Sequence, residues 1–185
     1  MNKIKKINVP FNEEVVRSLK VGDEILLSGT ILTGRDAAHK KLCDAFDETG
    51  KFPLALEDQV IYFVGPSPAK PGNPIGSAGP TTSYRMDAYS PTLINSGKLR
   101  GMIGKGSRNI KVVKAMQETG AVYFVAIGGA AALVAKAIKK AEIILYEELG
   151  PEAIRRLTIE DMPVIVAIDS EGRSLYEEGP RKYKR

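Results

Sequence analysis

Cysteine and histidine occur once each in this chain of 185 residues, as Cys43 and His39, and tryptophan is absent. A single thiol excludes an internal disulfide, and one Cys with one His cannot assemble a zinc site or ligate an iron–sulfur cluster. Any metal chemistry must be brought by another polypeptide. Long hydrophobic runs are also missing. The longest uncharged stretch, Ala121 to Ala135, is interrupted by Gly128-Gly129 and is shorter than the roughly 20 residues of a spanning helix. Met1 to Lys6 lead into Ile7-Asn8-Val9-Pro10 without an apolar signal core. The expectation is a cytoplasmic protein that does not engage a membrane.

Excess charge is scarce in the body of the chain. Of the net +5, the last five residues, Arg181-Lys182-Tyr183-Lys184-Arg185, supply four, which leaves +1 for the rest. Such a tail reads as a solvated end or a docking arm, and no nucleic-acid partner is expected from it.

What is present suits one compact α/β domain over residues 1–185. No repeat and no low-complexity linker divides the chain. Lys5 to Val9, Glu24 to Leu32, Gln59 to Val64, Met102-Ile103, Ala121 to Ile127 and Glu142 to Glu147 read as strands. Glu13 to Leu19, Asp36 to Thr49 with Gly50 as its cap, Ser107 to Thr119 with Gly120, and Gly129 to Lys139 read as helices. Thr82 onward starts a short helix, Ser90-Pro91 fits the N-cap and N1 of another, and Pro151 opens a further turn or two. Met162 to Ile168 and Arg173 to Tyr176 suggest a terminal hairpin. From Gly65 to Pro80, nine of sixteen residues are Gly or Pro, too long a structureless loop to be idle in a compact domain.

Three strand-to-helix junctions carry candidate chemistry. In Thr33-Gly34-Arg35-Asp36-Ala37-Ala38-His39, an arginine fork suited to a carboxylate sits at a helix start, although Asp36 as a plain cap with a solvated Arg35 explains the same residues. In Gly79-Pro80-Thr81-Thr82-Ser83-Tyr84-Arg85-Met86-Asp87, three hydroxyls precede Arg85, which shares a helical face with Thr81. A Ser/Thr cap cluster is the simpler alternative. In Gly101-Met102-Ile103-Gly104-Lys105-Gly106-Ser107-Arg108-Asn109-Ile110, glycines flank a lysine ahead of a helix, so N–H groups and an ammonium can converge on an anion. Lys105 precedes Gly106, so this is not a Walker A loop. The same segment resembles the Gly-x-x-Gly loop of KH modules, which makes RNA binding an alternative, but Ser107 stands where that motif needs glycine. His39 reads as a surface residue or as support for the site, and Cys43 as core filler or part of a subunit contact.

Taken together, the three junctions, with Glu160-Asp161-Met162-Pro163 and Val166-Ala167-Ile168-Asp169-Ser170-Glu171-Gly172, resemble the β subunit, or C-terminal domain, of class I fumarases and L-tartrate dehydratases. The likeness runs in order from Arg35 to the C-terminus, and Gly-Pro-Thr-Thr-Ser-x-Arg-Met is its most specific part. Tyr84 departs from it, at a position where a smaller residue is common. The resemblance implies a swivelling-type β/β/α domain with a mixed sheet and flanking helices. It implies a [4Fe–4S] cluster held by a partner α subunit, an α2β2-type heteromer, and a dicarboxylate substrate interconverted between malate and fumarate, as in the tricarboxylic acid cycle, or tartrate instead. By the same resemblance Arg35 and Thr81 are catalytic, with Thr81 the proton-abstracting residue, and Arg85 and Lys105 bind substrate. No residue of this chain is implied as a metal ligand.

Overall fold

The computed structural model describes residues 4–126 and 131–183. In chain order it has β1 (Lys5–Val9), α1 (Glu13–Ser18), β2 (Glu24–Thr33), α2 (Asp36–Thr49), β3 (Val60–Tyr62), a 3₁₀ turn (Ser83–Met86), α3 (Ser90–Asn95), β4 (Gly101–Gly104), α4 (Ile110–Thr119), β5 (Val122–Ala126), α5 (Ala131–Ala137), β6 (Ile138–Leu145), a second 3₁₀ turn (Glu147–Glu152), β7 (Ile154–Ile168) and α6 (Leu175–Tyr183). The α/β expectation holds. The Gly128-Gly129 break, the start of the helix expected from Gly129, and Lys184 and Arg185 of the basic tail lie outside the described residues.

Seven strands form one mixed sheet in the order β1-β2-β3-β4-β5-β7-β6. The first five are parallel to their neighbours. β7 runs antiparallel to β5, to β6 and also to β2, and this second contact with β2 curls the sheet back on itself. Fifteen residues of strand make that span feasible, roughly 50 Å of chain at the rise of an extended backbone. The register slips between Leu27 and Gly29, where Ser28 Oγ accepts the Asp161 N–H at 2.9 Å. There Asp161 takes a positive φ of 48°. A bulge of this sort bends a strand where a sheet turns a corner.

Both faces of the central strands are buried, which is why they read as continuous apolar runs. Val60, Tyr62, Ile103, Val122 and Phe124 face one core with Leu27, Ile31, Val164 and Val166. Ile61, Phe63, Met102 and Tyr123 alternate to the other face and meet Leu42, Leu93, Ile94, Val112 and Met116 of α2, α3 and α4.

Several sequence expectations need correction. Arg173 to Tyr176 is not the second arm of a hairpin: Ser174 makes one bridge to Ile168, and α6 begins at Leu175. β7 starts at Ile154, eight residues before the apolar run at Met162: its first half alternates with the charged Arg155, Arg156 and Glu160 while pairing with β2 on one side and β6 on the other. α4 starts at Ile110, since Asn109 caps it by accepting from Val112 N–H. Ser90 is not a cap, because its hydroxyl donates to Met86 O and accepts from Arg108. Pro151, as expected, opens a turn: it follows the non-helical kink at Gly150 and starts the last part of the 3₁₀ segment.

Candidate active site

β2, β3 and β4 are adjacent and parallel, so their C-terminal ends open on one side of the sheet, the place where α/β proteins collect ligands. Gly34 and Arg35 follow β2, with Gly34 N–H donating to Tyr62 O at 3.1 Å. Lys105 follows β4. Between them the chain from residue 80 to 83 enters as a short extended wedge. Pro80 bridges Val64, Thr81 N–H donates to Phe63 O at 2.7 Å, and Ser83 N–H donates to Lys105 O at 2.9 Å. Thr82 and Lys105 therefore pair in parallel register, which places Thr81 and the lysine on neighbouring strands.

The Gly/Pro-rich loop delivers this wedge. Its base is closed by the Val64–Pro80 bridge and by the Tyr62 hydroxyl, which donates to Ala78 O. Midway, Ser67 N–H donates to Ser77 O and Ser67 Oγ accepts the Ser77 N–H. These are the features of a compact loop that packs on itself.

A buried chain of hydroxyls fixes the wedge against β4. Tyr123 donates to Gly106 O at 2.8 Å, Ser83 Oγ lies 2.8 Å from the Tyr123 oxygen, and Lys105 N–H donates to Ser83 Oγ at 3.2 Å. Burial pushes the Tyr123 phenol well above its ordinary range, so it stays protonated and serves as donor. Gly104 is required here by space: a Cβ would sit 2.0 Å from Ser83 Oγ and 2.9 Å from the Phe63 ring. Beneath lies Arg108, donating from Nε to Asp87 Oδ1 at 2.6 Å and from Nη2 to Ser90 Oγ at 2.7 Å, with its guanidinium over the rings of Phe63 and Tyr123. Asp87 Oδ2 accepts the Asn109 N–H, tying the 3₁₀ turn to α4.

The arginine side of the site is a row of alternating charges. Arg85 Nε donates to Asp36 Oδ1 at 2.9 Å, and Nη2 lies 2.9 Å from Oδ2. Arg35 Nη2 stands 3.8 Å from Asp36 Oδ2 and 3.4 Å from Glu152 Oε1. Its guanidinium crosses Gly65, where a Cβ would come within 2.6 Å of Nη1. Asp36 does not cap α2; Glu152 does so from 115 residues away, accepting the Ala37 N–H at 2.9 Å. The Ala37 N–H at the helix N-terminus is thus taken by an internal carboxylate.

The four residues singled out in the sequence lie at one end of the sheet. Arg35, Thr81 and Lys105 follow or interleave the ends of β2, β3 and β4, and Arg85 joins through Asp36. Lys105 is exposed, and the two carboxylates of the row pair with Arg35 and Arg85 and not, among the described residues, with Lys105. Its backbone N–H is taken by Ser83, so only the ammonium is offered to a ligand. His39 is buried under the Arg35 turn, with Nδ1 donating to Arg35 O at 2.8 Å. Desolvation lowers its pKa to about 4. It is a neutral support, not a surface residue.

Cavities of about 390 and 600 Å³ flank residues 66–77 beside α5 and β6, and none of the four residues lines them. A site that is open at the end of a sheet forms no closed cavity. Among the described residues no three His, Cys, Asp or Glu side chains gather to hold a metal. The Cys43 thiol faces Tyr89 O at 3.8 Å, and burial pushes its pKa up to about 11, so the free thiol stays protonated at neutral pH.

The Fumarase C-terminus family matches residues 1–179. The chain belongs to this family. It is 37% identical over 175 residues to the anaerobic class I fumarate hydratase of Escherichia coli (strain K12), covering 93% of this chain and 32% of that protein. It is 40% identical over 176 residues to a putative class I fumarate hydratase of Geobacillus stearothermophilus, covering 93% and 33%. To the putative L(+)-tartrate dehydratase subunit beta of Methanocaldococcus jannaschii it is 38% identical over 172 residues, covering 90% and 88%. The chain therefore spans about a third of the class I fumarate hydratases it matches and most of the dehydratase β subunit. Within this Fumarase C-terminus domain, Glu152, Tyr123 and Asp87 are not legible in the sequence as site supports. Each acts across a long sequence separation; Asp87 lies inside a quoted motif, but nothing there marks it as the partner of Arg108 and Asn109.

Proposed function

We propose that this chain is the β subunit of an iron–sulfur hydro-lyase, supplying dicarboxylate-binding and proton-transfer groups to a site completed by a cluster-bearing α subunit. Fumarate hydration is the favoured reaction. The observation that carries the reading is the convergence of Arg35, Thr81 and Lys105 on the ends of three neighbouring parallel strands, with Arg85 linked to them through Asp36. With Cys43 as its single cysteine this chain cannot ligate a [4Fe–4S] cluster alone, so the reading assigns the cluster to the partner. When bound there, an open iron supplies Lewis acidity toward the substrate hydroxyl.

The chain's own part follows from charge. Hydration adds a proton to one alkene carbon and hydroxide to the other, and the carbanion-like state between them loads negative charge onto the adjoining carboxylate. Cations aimed at that carboxylate act most strongly in the transition state. Lys105 offers a point charge and Arg85 a planar fork. Thr81 Oγ1 carries the proton to or from the carbon. A threonine hydroxyl is a weak acid, so to act as a base Thr81 needs the cations of the assembled site to favour its alkoxide.

The β-subunit length of the dehydratase relative favours a second reading, L-tartrate dehydration, which uses the same groups on a substrate with one more hydroxyl. Both are tested by assembling the purified chain anaerobically with a cluster-bearing α subunit and following fumarate absorbance and tartrate consumption. Activity is expected only from the assembled α2β2-type complex. Full turnover by this chain alone, without iron, would overturn the proposal.

A further inference from the structure

We infer that Asp36 is a positioning residue for Arg85, setting which edge of its guanidinium meets the substrate. The inference rests on the hydro-lyase reading above. Asp36 occupies the first position of α2, where a carboxylate is favoured by the helix dipole and can reach the free N–H groups of the first turn. Here that duty falls to Glu152, through the Ala37 N–H, and the hydrogen bond found for the Asp36 side chain is the one from Arg85. The aspartate is thereby released from the helix and committed to the arginine.

That commitment selects an orientation. A guanidinium has two edges able to grip a carboxylate, the side edge at Nε and the end edge formed by its two terminal nitrogens. Asp36 faces the side edge, with Nε–Oδ1 and Nη2–Oδ2 both at 2.9 Å. Nη1 is left over, so the end edge is the one presented outward. A flexible side chain that is 45% exposed would otherwise sample many orientations. Asp36 also stands between the two arginines, 3.8 Å from Arg35 Nη2, and offsets their mutual repulsion. With Arg85 45% and Asp36 26% exposed, the pair's contribution to folding is modest, and fixing the orientation of Arg85 is the role its geometry fits.

The ligand chemistry follows. The end edge of an arginine held in this way fits a planar carboxylate in two-pronged fashion, which a lysine at the same position does not reproduce.

The test uses the assembled complex with fumarate. Asp36→Asn keeps the shape and one acceptor but loses the charge. It is expected to raise KM about tenfold or more with a smaller change in kcat, while thermal unfolding stays near wild type. Arg85→Ala should raise KM further, and adding Asp36→Asn to it should cost nothing more. A wild-type KM in Asp36→Asn, or a double variant that loses the full product of both single effects, would overturn the inference. A second measurement stands apart from activity. In the isolated chain the Arg85 Nε–H should exchange slowly with solvent and become fast in Asp36→Ala, which leaves no acceptor; fast exchange in both would also overturn the inference. An inactive wild-type complex would remove the hydro-lyase reading, and the Nε–H exchange would still decide whether Asp36 holds Arg85.

Discussion

His39 shows how one residue links the site to the stability of the whole. It is 1% exposed, stacks edge-on against Phe63 with centroids 5.3 Å apart, and holds the Arg35 carbonyl. Its Nε2 is buried without a partner, so a second proton there would be an uncompensated charge. Desolvation is the main cause of its low pKa of about 4, the bond to Arg35 works against it, and Arg108 nearby adds to it. The folded pKa lies below the unfolded value near 6.5, so the unfolded state binds the extra proton first. Stability is therefore full above about pH 6.5 and is lost as pH falls toward 4. Between pH 7 and pH 5 this single group should remove about 2 kcal/mol. Urea midpoints at the two pH values, compared with His39→Asn, check the prediction. An equal loss in the variant would assign the effect to other groups. In the sequence the lone histidine, on a helix beginning beside Asp36, reads equally as a surface residue or as support for the site. Only the packing of α2 on Phe63 and Tyr89 shows that this face is covered.

At the scale of elements, the strands and most helices are legible because strand burial on both faces and glycine-capped helices leave local signatures. Gly50 and Gly120 take the left-handed conformation just where the helical patterns end. The last strand shows only half its length in the sequence, because charged residues interrupt the apolar pattern of its first half, and the start of α6 looks like a strand, because tertiary contacts decide there. The Thr81 wedge is visible as a cluster of hydroxyls, but not its insertion between β3 and β4, which depends on Gly104. Gly104→Ala should disrupt it: the new methyl would collide with Ser83 Oγ and the Phe63 ring. A destabilisation of about 1–3 kcal/mol is expected, with partial recovery when Ser83→Ala is added, because the hydroxyl clash is removed while the contact with Phe63 stays. Chemical denaturation of the single and double variants checks this. Equal stability of Gly104→Ala and wild type would show that the wedge can shift without cost.

At the scale of the molecule, a sheet that curls back through β7 anchors β2, β3 and β4 between two packed cores, and their shared end carries the cations. The four candidate residues are legible in the sequence because they sit in short motifs at strand ends. What joins them is not: Asp36 looks like a cap, Glu152 like part of a charged turn, and only the fold brings them into one row with Arg35 and Arg85. In the proposed enzyme this row and Lys105 grip a dicarboxylate while another polypeptide brings the iron. The most direct measurement is kcat/KM for fumarate in the assembled complex carrying Lys105→Ala, with cluster content verified by its absorbance. A loss of about a hundredfold or more is expected with the cluster intact, as when a charged contact is removed at the transition state. A wild-type kcat/KM in that variant would contradict a substrate-gripping role for this end of the sheet.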